Sequence, residues 1–381
     1  MGLMTAYYAA PLAGSVTVVD KTRVGDPATA SFALTRSVRN DYLDPVYARL
    51  AAEARWLWSD LEARWGQRLL VDCGCLNLAA SSVTPDLAAS YAERSFAVLE
   101  ELALPRARFT GAELAGRFPQ FAADVGALDV GAGFADVQAV TTLLTRALQA
   151  SGVRVLDEVP VSAITRSGDG WQVQAGPDTV ESDVLVITAG LGTNDLLGLI
   201  QGVPVRFPLR PDRPSQSKYF IPEPGRRGEF TPDALPVFAY LDVGIYGHPI
   251  FDERTPGVKI GFYNPPDVAV QASSIGSVED FVAQCMPGLA GARTVDVAAS
   301  GVDTCSYDLV GDDDFVLGPV PGADDLYTGV GWRGTGYKFA PWIGRVLAQL
   351  ALQRGTVYDI ARFAPGRFAG TSEPDQEASA A

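Results

Sequence analysis

Lysine is scarce in this chain of 381 residues: four occur, at 21, 218, 259 and 338, against 26 arginines. Histidine is scarcer still, with His248 alone. Basic residues are outnumbered, 30 against 45 acidic ones, which gives a net charge of −15. That balance argues against nucleic acid as a partner, because phosphate binding needs clustered cations. Four cysteines (Cys73, Cys75, Cys285, Cys305) make no disulfide framework at this length, and Cys73-Gly-Cys75 lacks the spacing of a zinc knuckle, so no metal site is expected. No apolar run reaches the ~20 residues needed to span a bilayer. No Lys or Arg precedes Lys21, so the opening MGLMTAYYAAPLAG has no charged signal-peptide region, and the Gly2 myristoylation pattern fails at Ala6. A cytoplasmic protein with no membrane partner is the expectation.

What is present suits a folded protein. Hydrophobic residues make up 47% and charged residues 20%, enough for a sizeable core. The length suggests two domains or one large one. Met4, Tyr7, Tyr8 and Leu12 recur at helical spacing, and Ser15 to Asp20 then alternates into a β-branched strand that ends in an acid. This reads as the second half of a βαβ unit. An amphipathic helix is expected at 43–66, with Val46, Leu50, Leu57, Leu61 and Trp65 on one face, and another at 137–150. Strand-like 154–156, a hairpin around Gly168–Gly170 and the buried run Val184–Thr188 follow, the last ending in a glycine turn at Gly190–Gly192. Residues 205–265 carry Pro, Gly and aromatic residues at strand-like spacing, as in a separate antiparallel sheet. A glycine-rich turn then leads into a helix from Phe339 to Leu352, and the tail 370–381 reads as disordered. No internal repeat is seen.

Several constellations could carry chemistry. Asp20 stands where an acid accepts from ribose hydroxyls in dinucleotide folds, although an exposed acid ending an ordinary strand has the same pattern. Gly329-Val-Gly331-Trp-Arg-Gly334 is a complete GxGxxG, but no ribose-binding acid follows it, and a tight strand–helix turn explains it as well. Arg36 and Arg39, three apart, could hold a carboxylate or balance a cofactor's charge, and surface arginines would look alike. Lys259 sits within Gly257-Val-Lys-Ile-Gly-Phe262, where alternation puts Val258 and Ile260 on one face and the lysine on the other. Lys338 begins the late helix, where the dipole disfavours a cation unless an anion is near. An edge-strand lysine and a surface lysine are the plainer explanations for these two.

Together, and in order along nearly the whole chain, these motifs resemble the FAD-dependent amine oxidases related to monomeric sarcosine oxidase, with N-methyltryptophan and pipecolate oxidases as relatives. The segments are Met1–Asp20, Thr35-Arg36-x-x-Arg39, Val184–Leu197, Gly257–Gly261, Cys305-Ser-Tyr307, and Gly331–Phe339 with the following Ile343–Ala351. The resemblance implies a fold of α/β plus α+β type. A Rossmann-like FAD-binding domain (1–71, 135–207 and 306–369), incomplete at its start, would join a substrate domain on a large antiparallel sheet (72–134 and 208–305). It implies FAD held covalently through Cys305, with Gly2, Asp20, Thr35, Val161, Gly334, Thr335, Gly336 and Lys338 also on the cofactor. Arg36 would lie against the flavin ring, Arg39 and Lys338 would hold the substrate carboxylate, Lys259 would activate oxygen, and Tyr307 would be an active-site tyrosine. The physics agrees, since a preorganised cation stabilises charge developing on O₂.

The chain departs from the family pattern in places. Tyr263 and Thr335 stand where sarcosine oxidases have histidines, and Phe32 replaces a third. With Tyr246, Tyr307, Trp332 and Tyr337, these changes suggest an aromatic-walled pocket for a larger or cyclic imino acid. Of the family's opening strand and GxGxxG only the final Met1-Gly2 is present, which implies either a start assigned too late or weak FAD binding. The activity expected is oxidation of the C–N bond of a secondary or cyclic amino acid by hydride transfer to FAD, with O₂ as acceptor and H₂O₂ as product. The protein would be a monomer or small homo-oligomer. The alternatives are a dehydrogenase using another acceptor, or a non-catalytic remnant that has lost FAD.

Overall fold

The helix Pro45–Trp65 starts where its residues demand. Asp44 caps it, its carboxylate accepting from the Val46 amide at 2.8 Å, and Pro45 occupies the first turn. The helix is the one expected, but it is turned about its axis. Tyr47, Ala48, Ala51, Ala54 and Trp58 are buried with Leu57 and Leu61, while Val46 is exposed. Counting only large apolar residues misplaces the face, because alanines let a helix approach its neighbours closely. Leu12, likewise expected on the first helix, lies beyond its end and is exposed.

The computed structural model describes residues 1–27, 29–211, 217–263, 275–296 and 307–369. Cys305 and the tail 370–381 lie outside the described residues. Contacts divide the chain into two units: Met1–Thr29, Thr141–Arg213 and Ser306–Ala381 form one, Ala30–Val140 and Pro214–Cys305 the other. Residues 30–71 therefore pack in the second unit, where the strands Thr35–Val38 and Leu70–Val71 flank Gly133–Asp136.

In the first unit, Thr17–Val19 pairs in parallel with Arg154–Leu156, and Leu185–Ile187 pairs in parallel with Leu326–Val330. An antiparallel meander runs from Val161 to Ser182. Ile164, Trp171, Ile187, Leu197, Val316, Leu326 and Val330 belong to one apolar core. The helix Gly2–Ala9 lies on the long helix Gly336–Gln353, and Gly344 permits the crossing. A Cβ there would stand 2.7 Å from the Met4 carbonyl carbon.

The second unit is built on an eight-stranded sheet. Its order is Arg293–Asp296, Lys218–Ile221, Val258–Phe262, Ile245–His248, Val237–Tyr240, Cys75–Ala79, Val125–Asp129 and Arg106–Thr110. The expected sheet was antiparallel; this one is mixed, because Val237–Tyr240 pairs in parallel with Cys75–Ala79. Those two strands come from distant parts of the chain, so no hairpin imposes an antiparallel partner. Leu76, Leu78, Phe238, Tyr240, Ile245, Val258 and Ile260 face an apolar core shared with Phe281 and Val282 of the helix Val278–Cys285. Side chains alternate along each strand, so Asn77, Asp129, Tyr246, His248, Lys259 and Tyr219 stand on the other face.

Candidate active site

Lys259 is 2% exposed, the degree of burial that makes an ammonium costly without partners. Its cross-strand neighbours are Tyr219 on one side and His248 on the other. Its Nζ stands 5.8 Å from the centre of the Tyr246 ring, near enough for attraction to the ring face. The Tyr246 hydroxyl is 3.2 Å from Ser217 Oγ. As expected from alternation, Val258 and Ile260 lie in the core and Lys259 faces away from it.

The segment 35–41 runs along this polar side. Thr35 Oγ1 lies 2.8 Å from His248 Nδ1, and Ser37 Oγ 2.9 Å from Nε2. Arg36 donates through Nη2 to the carbonyls of Ala30 and Phe32, at 3.0 and 2.8 Å. Arg39 is buried and donates through Nη1 to the Asp41 carboxylate at 2.6 Å and to its carbonyl at 2.9 Å. The Tyr42 ring lies 4.9 Å from the Arg39 guanidinium, and the Tyr91 hydroxyl donates to the Asp41 carbonyl at 2.8 Å. Asn77 Nδ2 donates to the other Asp41 oxygen. Asp129 accepts from the amides of Asn40 and Gly131, at 2.6 and 3.1 Å. Burial, then the charge of Asp41, raises the Asp129 carboxyl to about 7 against those donors.

Sequence reasoning singled out Arg39 and missed everything that holds it. Asp41, two residues on, was the one local signal; Asn77, Tyr91 and Asp129 come from elsewhere in the chain. Tyr263, expected in the pocket wall, packs with Tyr91, Ala239 and Leu241. Burial pushes the thiols of Cys73 and Cys285 up to about 11 and that of Cys75 higher, so all three stay protonated. None is poised as a nucleophile.

The first unit gathers another part of the expected set. Gly334 has φ +71°, and a Cβ on it would stand 2.7 Å from the Tyr307 ring. The neighbouring Asp308 accepts from the Gly331 amide at 2.9 Å, and burial raises its carboxyl to about 6. Lys338, 5% exposed, is the third residue of the helix Gly336–Gln353 and donates to the Thr335 carbonyl at 3.2 Å. Trp332 is buried beside these residues, its Cβ 2.5 Å from where a Cβ on Gly336 would be. Asp20 follows the strand Thr17–Val19, and its Oδ1 accepts from the Thr22 amide and hydroxyl at 2.9 and 2.8 Å. Val161 opens the strand Val161–Ser167 opposite Ala175.

This donor set suits a flavin dinucleotide. The helices Gly2–Ala9 and Gly336–Gln353 both begin without a side-chain cap, which leaves first-turn amides for an anion. Asp20 follows its strand as an exposed carboxylate that could accept from ribose hydroxyls, and Lys259 and Arg36 could balance charge on an electron-accepting ring. The model of the family described as FAD dependent oxidoreductase matches residues 1–350. The chain belongs to that family. Human peroxisomal sarcosine oxidase is 27% identical over 96% of this chain and 93% of its own length. An N-methyl-L-tryptophan oxidase of Yersinia pestis is 24% identical over 97% and 96%. The solved L-proline dehydrogenase from P. horikoshii superposes with a TM-score of 0.77, covering 98% of this chain and 96% of that one. At 17% identity that likeness shows the fold alone. This FAD-dependent oxidoreductase is thus similar over nearly all of its length to sarcosine and N-methyl-L-tryptophan oxidases. Among its described residues no helix is long and apolar enough to cross a membrane.

Proposed function

We propose that this protein is a flavoprotein oxidase of secondary or cyclic amino acids, with O₂ as the acceptor. The observation that carries the reading is Lys259, a buried cation on the polar side of the large sheet, in a member of an FAD-dependent family. Sarcosine oxidase and N-methyl-L-tryptophan oxidase are named for substrates with a secondary amine, which supports the substrate class. When bound, FAD would supply an electron sink for hydride from the carbon beside nitrogen, leaving an imine, and O₂ would take up the two electrons with two protons as H₂O₂. Lys259 holds a fixed positive charge where O₂ acquires negative charge, and burial strengthens that interaction. Arg39 receives the substrate carboxylate, exchanging part of its contact with Asp41 for the ligand, and Lys338 serves the same group. Arg36 would lie against bound flavin, Tyr246 and Tyr263 would wall the substrate, and Tyr307 would be an active-site tyrosine. Covalent attachment through Cys305 belongs to the same reading. So do a cytoplasmic location and a monomer or small homo-oligomer.

The test is direct. Purified protein should be yellow, should keep its flavin after acid precipitation, and should form H₂O₂ with N-methylated or cyclic amino acids. Flavin released by acid removes the Cys305 linkage. Reduction of an artificial dye without H₂O₂ turns the assignment to a dehydrogenase, and absence of flavin overturns it.

A further inference from the structure

The chain's single histidine has no role in the sequence reading, yet the fold encloses it almost completely. His248 is 2% exposed. Cross-strand pairing sets it directly opposite Lys259, so the two side chains share one face with Cβ atoms about 5 Å apart. Its two ring nitrogens meet two hydroxyls, Thr35 Oγ1 at 2.8 Å and Ser37 Oγ at 2.9 Å. Thr35 and Ser37 are two residues apart on one strand and therefore point the same way. Phe134 and Tyr246 pack the ring, with centroids at 6.0 and 5.9 Å.

Neutral imidazole has one donor and one acceptor, and a pair of hydroxyls completes it in either tautomer: the hydroxyl at the ring N–H accepts and the other donates. Among the described residues, the Thr35–Val38 strand belongs to a three-stranded sheet that shares no main-chain ladder with the eight-stranded one. His248 ties the two sheets by side chain. Arg36 lies between the two bonded hydroxyls, and Arg39 follows directly after the strand. We propose that His248 is a positioning residue that fixes the Thr35–Arg39 segment relative to Lys259, so that the arginines and the oxygen-activating lysine hold one register. This rests on the oxidase reading above. The ladder with Gly133–Asp136 and the Asn40–Asp129 bond hold the two ends of the segment, and the His248 bonds fix its middle, at Arg36.

A chain with one histidine allows a clean experiment: ¹⁵N-histidine labelling gives one imidazole in the NMR spectrum. The expected result is a single neutral tautomer, with Thr35→Val shifting Nδ1 and Ser37→Ala shifting Nε2. In the flavin-loaded enzyme, His248→Phe should slow reoxidation by O₂ at least tenfold and raise the KM for the amino acid several-fold. His248→Gln, which keeps one donor and one acceptor, should come within threefold of the wild type. The double variant with Lys259→Met should be no slower in the O₂ step than Lys259→Met alone. A ring that ignores Thr35→Val and Ser37→Ala, an unchanged O₂ step in His248→Phe, or fully multiplicative effects in the double variant would each overturn the proposal. If His248→Phe does not fold, Thr35→Val, Ser37→Ala and His248→Gln carry the kinetics. Failure of the oxidase reading looks different: the wild type would lack flavin or would not be reduced by amino acids, while the labelled imidazole still judges the clamp.

Discussion

On one side of the eight-stranded sheet Leu76, Phe238, Ile245, Val258 and Ile260 pack into a continuous apolar layer. On the other, alternating with them along the same strands, stand Asn77, Tyr246, His248 and Lys259. The two sides follow different rules. The apolar side is stabilised by area removed from water, which is non-directional and tolerant of swaps that keep volume. The polar side is buried nearly as deeply, so each of its groups needs a specific partner. Arg39 has Asp41, Asn77 Nδ2 has Asp41, and the His248 ring has two hydroxyls. A sheet can thus present rigid chemistry on one side because the other side holds it still.

Substitutions of adjacent residues break this comparison most sharply. Lys259→Met should lower O₂-dependent turnover by about 10²–10³-fold, the usual loss when one preorganised charge-stabilising donor is removed, with little change in melting temperature. Its neighbour Ile260→Ala, facing the core, should do the reverse. Stability should fall by ~2–5 kcal/mol in a denaturant titration, with turnover per folded molecule unchanged. If Ile260→Ala abolished turnover in still-folded protein, the division of labour between the two sides would be wrong.

A pH series sharpens the polar side further. The Asp129 carboxyl is raised to about 7 in the fold and titrates near ~3.9 when unfolded. The stability it contributes is fully present below about pH 4 and is lost as pH rises through about 7, at up to ~1.4 kcal/mol per pH unit. The stabilities of the wild type and Asp129→Asn from melts should differ in slope between about pH 4 and 7 and run parallel above about pH 8 and below about pH 3. The smallest effect is expected from Lys218, on the strand next to that of Lys259. Its side chain is 31% exposed and pairs with Glu279 at 2.5 Å. Lys218→Met should change stability by less than about 1 kcal/mol and leave turnover alone, because exposed pairs are weak. A large loss there would show that exposure does not separate the two lysines.

Much of the site was legible residue by residue. Apolar alternation around Lys259 placed it opposite Val258 and Ile260, and the glycine-rich turn before Lys338 marked the start of its helix. The partners were not legible. Thr35 and Ser37 meet His248 across more than two hundred residues, and Asn40 meets Asp129 across nearly ninety. Such pairs leave no periodic trace, since periodicity records only which face a residue lies on. The helix Pro45–Trp65 was legible but its buried face was not, for a related reason: its buried alanines carry little hydrophobic signal, although they set how closely it packs.

The sequence by itself determined the family, the strand and helix that carry the two notable lysines, and the side of the strand that Lys259 occupies. These follow from local spacing, which the backbone's two periods convert into faces. Only the tertiary structure decided that Arg39 is neutralised by Asp41, that Asp129 holds its proton towards neutrality, and that the one histidine clamps two hydroxyls beside Lys259. Each of these depends on distances and burial between segments remote in sequence, where the electrostatic cost of a buried group is set by what the fold brings next to it.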